Sequence, residues 1–147
     1  MNGDRKVSVN LGLERFIRAQ EDIYQSALQE ITAGRKIGHW MWYIFPQLAG
    51  LGRSSTSEYY GIRGLPEAKE YIVNDVLGAR LIEISNAVLQ LPTSNAYEVF
   101  GSPDNMKLKS SMTLFAMADA DRYVFYEVLE KYFGGDLDKR TLNLLGL

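Results

Sequence analysis

Leu13, Phe16, Ile17, Tyr24, Ala27, Leu28 and Ile31 recur at helical spacing, and Arg15, Gln20, Glu21, Gln25 and Glu30 fill the positions between them. Apolar residues three and four apart share one side of a helix, so this stretch predicts one amphipathic helix with a buried stripe and a polar face. Gly34 suits the position just past its end. The run from His39 to Gln47 reads as a short buried helix that Pro46 ends, because proline has no N–H to donate and its ring blocks the preceding turn. A strand is the alternative, since aromatic residues favour strands, but no partner strand is evident.

Further along, Ser55-Thr56-Ser57-Glu58 has the form of a capping box opening a short helix. Pro66 suits the first position of a helix reaching about Val73. Leu77, Leu81, Ile84, Val88 and Leu91 mark a helix over 76–91 that Pro92 stops. Asn95 to Phe100 is one or two turns. Ser102-Pro103 reads as an N-cap and first residue of a helix to about Ala118. Tyr123 to Phe133 is a helix ending at Gly134-Gly135, and Asp138 caps a last one over 142–145. Tyr71, Tyr97, Tyr123, Tyr126 and Tyr132 fall at helical spacing beside apolar residues and are assigned to the core. No segment alternates long enough for a strand, and no fixed-period repeat or linker divides the chain. The fold class is all-α: a single compact multi-helix orthogonal bundle of six to eight helices with no significant sheet. Residues 1–10 read as a flexible tail, and 11–147 as one all-helical domain.

Composition narrows the chemistry. The 147 residues include no cysteine and a single histidine, His39. Disulfides, thiolate nucleophiles and the common multi-His metal sites are excluded within one chain, and no metal site or cofactor is assigned. The formal net charge of -2 argues against general nucleic-acid binding. No apolar leader follows the polar start, and the longest strongly apolar run, Trp40 to Phe45, is too short to span a bilayer. A cytoplasmic location without membrane association is expected.

Three segments stand out chemically. The first is His39-Trp40-Met41-Trp42-Tyr43, which holds both tryptophans. An aromatic wall beside a histidine suits a planar ligand held by stacking, with His39 as acid or base. The plainer reading makes the rings core. The second is Gly50-Leu51-Gly52-Arg53-Ser54-Ser55, where glycines, a helix start and Arg53 suit an anion. It matches neither G-x-G-x-x-G nor the Walker pattern, and a simple loop is the plainer reading. The third is Gly101 to Ser111. On a helix, Asp104, Lys107 and Ser111 line one stripe beside a core stripe of Leu108, Met112 and Phe115, so the polar stripe is expected to be half exposed. An i, i+3 ion pair is its plain explanation.

These segments also carry a resemblance. His39-Trp40-Met41-Trp42-Tyr43-Ile44-Phe45-Pro46-Gln47-Leu48 with Gly50-Leu51-Gly52-Arg53-Ser54 resembles one signature of the bacterial domain of unknown function 1810 family. Phe100-Gly101-Ser102-Pro103-Asp104 with Lys107-Leu108 and Ser110-Ser111-Met112-Thr113-Leu114-Phe115 resembles a second. Tyr132-Phe133-Gly134-Gly135 with Asp138 and Thr141-Leu142 resembles a third. The resemblance spans roughly Leu13 to Leu145. It implies a small all-helical protein and supplies no catalytic residue. Members often carry the label calpastatin, a name that belongs to a disordered inhibitor, whereas this composition is that of a folded domain.

The resulting candidate ligand-binding set is His39, Trp40, Trp42, Gln47, Arg53, Ser54, Asp104, Lys107, Ser110 and Ser111. If these converge on one cleft between helices, they suit a small anionic ligand, of nucleotide or ADP-ribose type. If the aromatic residues instead form a flat exposed patch, they suit a protein partner or homo-oligomer. A third reading is purely structural, with the motifs fixing tight helix crossings. No reaction type is assigned.

Overall fold

The apolar periodicity resolves into ten α-helices among residues 12–147, the part that the computed structural model describes; the tail expected at 1–10 lies outside it. They are α1 (Glu14–Gln20), α2 (Tyr24–Thr32), α3 (Met41–Ile44), α4 (Ser55–Tyr59), α5 (Leu65–Val73), α6 (Leu77–Leu89), α7 (Ala96–Phe100), α8 (Asp104–Ala118), α9 (Tyr123–Phe133) and α10 (Lys139–Leu145). The all-α expectation holds. Extended pairing among the described residues is limited to an isolated parallel bridge between Leu48 and Ile62. The count exceeds six to eight because the first amphipathic stretch is two helices and α3, α4 and α7 are each only one turn or slightly more.

The break at 21–23 is invisible to periodicity. Buried Phe16 and Gln20 of α1 and buried Tyr24, Ala27 and Ile31 of α2 keep three- and four-residue steps across it. Two members of the supposed polar face are buried as well. Arg15 fills its guanidinium with the carboxylate of Glu67 and the carbonyls of Gly12, Tyr59 and Gly61. Gln20 donates to the Tyr43 carbonyl at 2.8 Å and to the Tyr71 hydroxyl at 2.9 Å. Buried polar groups need such partners, and here all but the Gly12 carbonyl come from distant parts of the chain.

Helix α8 runs through the centre, packed by α5, α7, α9 and α10. Seven consecutive residues, Ser110 to Ala116, are buried, so the helix is enclosed on all sides over that stretch and has no exposed polar stripe at Ser111. Its start also differs from expectation. Ser102 does not cap it; Pro103 stands at the cap position without a side-chain cap, after a cis Ser102–Pro103 peptide. The cap of α4 is displaced by one residue too, with the Ser54 hydroxyl accepting from the Ser57 N–H. Asn95 and Asp138 cap α7 and α10.

Helices α5 and α6 meet closely at Gly78, where a Cβ would lie 1.9 Å from the Ile72 carbonyl oxygen. Of the five tyrosines assigned to the core, Tyr71 and Tyr132 are buried, whereas Tyr97, Tyr123 and Tyr126 are 60%, 71% and 45% exposed. Amphipathic spacing places a tyrosine near the boundary of a buried stripe equally well, and its hydroxyl tolerates solvent. No helix among the described residues is long and apolar enough to cross a membrane.

Candidate functional site

Glu30, near the end of α2, organises the aromatic segment. Its Oε1 accepts from the N–H groups of Ile37 at 2.7 Å and Gly38 at 2.9 Å and from Trp40 Nε1–H at 2.9 Å. Burial pushes the Glu30 carboxyl up, but these bonds and the nearby Lys36 charge outweigh it and hold the group below the usual carboxylate value. With its indole nitrogen held this way, Trp40 is a core residue, 2% exposed, against Phe45. His39 next to it is exposed, and Trp42, two residues on, is half-buried.

Lys36 lies over the Trp40 ring at 4.9 Å, donates to the Gly38 carbonyl at 2.5 Å and pairs with Asp104 Oδ2 at 2.8 Å. It thereby ties the aromatic segment to the first turn of α8. Lys107, one turn further on, reaches the other oxygen of Asp104 at only 3.5 Å and lies 4.9 Å over the Trp42 ring. Two lysines share one carboxylate, and the closer contact belongs to Lys36.

Two concavities flank this ridge. One, of about 390 Å³, lies between the 36–42 segment and the start of α8 and includes Lys36, His39, Trp42, Asp104 and Lys107 in its wall. The other, of about 360 Å³, lies between the 47–52 loop, α8 and the start of α10. Its wall includes Gln47, Leu51, Met106, Lys107, Ser110, Asp138 and Arg140. Pro103 and Lys107 belong to both. The 47–52 loop is held by the bridge to Ile62: Ala49 N–H donates to the Ile62 carbonyl and Ile62 N–H to the Gln47 carbonyl, both at 2.8 Å. Gly61 permits this crossing, since a Cβ there would come within 2.7 Å of Ala49 Cα.

Of the sequence candidates, His39, Trp42, Gln47, Asp104, Lys107 and Ser110 border these concavities. Trp40 and Ser111 do not; both are core, and the Ser111 hydroxyl has no hydrogen-bond partner among the described residues. Arg53 and Ser54 are exposed outside them, with Ser54 engaged in capping α4. The arginine of the cleft is Arg140, which donates to the Leu51 carbonyl at 3.2 Å across 89 residues of sequence. Lys36, Asp138 and Arg140 were not among the candidates. Asp138 is legible only as a helix cap, although the third stretch of the resemblance runs through it. Lys36, Lys107 and Arg140 stand against Asp104 and Asp138, which leaves local positive charge in a chain whose net charge is -2. Among the described residues no three His, Asp or Glu side chains gather as metal ligands would.

The crystal structure of the conserved hypothetical protein Rv1873 from Mycobacterium tuberculosis has the same fold, with a TM-score of 0.91. It is 48% identical and covers 94% of this chain and 99% of that one. No curated protein is significantly similar to the chain. The model of the family described as protein of unknown function (DUF1810) matches residues 10–145, and the chain belongs to that family.

Proposed function

We propose that the cleft around Lys107 binds a small anionic molecule carrying a planar group, the class to which nucleotides belong. One observation carries this reading. The carboxylate facing Lys107 is already paired to Lys36 at 2.8 Å, so the Lys107 charge is under-compensated at a wall common to two concavities. An ammonium with a strong carboxylate partner gains little from a ligand anion; one left at 3.5 Å gains more. Arg140 adds a second cation that, among the described residues, has no carboxylate partner. Trp42, half-buried under Lys107, offers ring surface for a planar group. Pockets of a few hundred Å³ suit molecules of this size. The reading that both tryptophans form a docking patch finds no support in Trp40, whose ring is enclosed.

A thermal-shift panel of nucleotides, ADP-ribose and phosphorylated metabolites tests this. A ligand at a hundred times its Kd adds about 2.7 kcal/mol of stability, several degrees in Tm. The shift is expected to vanish in folded Lys107→Met and to weaken in Trp42→Ala. A shift that survives Lys107→Met rejects the assignment of Lys107 as anchor. No shift from any anion in folded wild-type protein rejects the cleft as an anion site.

A further inference from the structure

Resting on the anion-binding reading, we infer that the Arg140 side of the cleft selects a hydroxylated anion, a sugar phosphate or the ribose phosphate of a nucleotide, over a bare oxyanion. The wall on that side presents both donors and acceptors. A bare oxyanion only accepts hydrogen bonds. Lys107 and Arg140 supply donors for it, but the same wall contains acceptors that it cannot serve. Asp138 uses one oxygen, Oδ2, for both the Thr141 N–H at 3.0 Å and the Thr141 hydroxyl at 2.6 Å. Its Oδ1 accepts no hydrogen bond from the described residues. The Ser110 hydroxyl donates to the Met106 carbonyl at 3.2 Å, which leaves its oxygen as an acceptor. The Gln47 side-chain amide has no partner among the described residues and offers one more acceptor and two donors.

A carboxylate in the wall of an anion cleft repels the anion unless the ligand also brings a donor. Hydroxyl groups are that donor, and a paired-acceptor carboxylate is a familiar way of holding a ribose. Leu51, Pro103 and Met106 give this concavity apolar surface that suits the C–H face of a sugar ring. The volume of about 360 Å³ also far exceeds what a lone phosphate fills. An ammonium-bearing anion would satisfy Asp138 too, but it would meet two cations, Lys107 and Arg140, against one carboxylate.

Isothermal titration of the intact chain with four probes tests this: inorganic phosphate, methyl phosphate, ribose 5-phosphate and O-phosphoethanolamine. Wild type is compared with Asp138→Asn and Lys107→Met. Asparagine caps helices as well as aspartate does, so Asp138→Asn keeps the start of α10 while removing the charge. In wild type, ribose 5-phosphate is expected to bind about tenfold tighter than methyl phosphate, the scale of one hydrogen bond to a charged group. In Asp138→Asn the gap closes to about threefold or less, and methyl phosphate binds as well as before or better. A structural role alone would move both ligands together. Equal binding of the two by wild type, a gap that persists in Asp138→Asn, or tightest binding of O-phosphoethanolamine each overturns the hydroxyl assignment. Methyl phosphate binding that depends on Lys107 but shows no sugar preference leaves the anion site standing and removes only this inference. If none of the four binds at millimolar concentration, the anion reading falls and this inference with it.

Discussion

Two ion-pair clusters sit at opposite extremes of saturation. At Arg15, five hydrogen bonds use the five N–H groups: two to the Glu67 carboxylate, at 3.0 and 3.2 Å, and one each to the Gly12, Tyr59 and Gly61 carbonyls. The side chain is 2% exposed. At Lys107 there is a single ion contact, 3.5 Å long, and the side chain is 24% exposed. The first cluster joins α1 to the 59–61 turn and α5 and leaves nothing for a ligand. The second leaves charge and donors unspent at the edge of a cleft. Satisfaction, more than residue type, separates a structural cation from a candidate binding cation.

The comparison predicts very different costs of removal. Arg15→Met strands a half-buried carboxylate and three carbonyls and is expected to cost about 3–5 kcal/mol, read from the urea midpoint at constant slope. Adding Glu67→Gln to that variant should return part of the loss, because the stranded charge is gone. If Arg15→Met costs less than about 1 kcal/mol, the cluster does not hold α1 to α5.

Glu30 is intermediate. Its three hydrogen bonds all end on Oε1, whereas Glu67 uses both oxygens, and they serve the cleft by holding the 37–40 segment. Glu30→Ala leaves Ile37 N–H, Gly38 N–H and the enclosed Trp40 Nε1–H without their acceptor, an expected loss of about 1–3 kcal/mol. Because Lys36 and Trp42 flank that segment, anion binding should weaken as well, measured by titration of the folded variant. Lys107→Met comes next in size: within about 1 kcal/mol of wild type in stability, as for an exposed pair, but with loss of anion binding. A large stability loss on Lys107→Met would erase the contrast with Arg15.

The same contrast governs what the sequence discloses. Helices α6 and α9, and the cap at Asp138, follow from local spacing and local hydrogen-bonding chemistry, and they are legible. Arg15 and Gln20 are not, because their partners Glu67 and Tyr71 are 52 and 51 residues away and nothing in the local pattern separates a buried polar residue from a solvated one. Ser111 misleads in the same way: a polar residue on α8 looks exposed until α5, α7, α9 and α10 are seen to enclose that helix. In the cleft, Lys107 and Trp42 are legible as candidates, but Arg53 is chosen for its neighbours in sequence. Arg140 replaces it because the start of α10 folds back onto Leu51, a contact that exists only in three dimensions.

The smallest expected effect, and the one that most sharpens the distinction, is the acid limb of the stability curve. Burial raises the Glu67 carboxyl, but the Arg15 hydrogen bonds, the Arg63 N–H and the charges of both arginines overcome it, so its pKa in the folded chain lies below the usual value. The Glu30 carboxyl is lowered as well. A carboxylate with a depressed folded pKa binds fewer protons folded than unfolded. Its contribution is therefore complete above the unfolded value, about 4.3 for glutamate, and is lost as pH falls through the lower folded value. Denaturant midpoints measured from pH 6 down to pH 3 should fall below about pH 4.3 in wild type. The fall should be shallower in Glu67→Gln, which no longer has that proton to take up. An unchanged acid limb in Glu67→Gln would mean that the Arg15 cluster stabilises by packing and backbone hydrogen bonds rather than through its ion pair, and the saturated cluster would then differ from Lys107 in burial and carbonyl contacts, not in the strength of its ion pair.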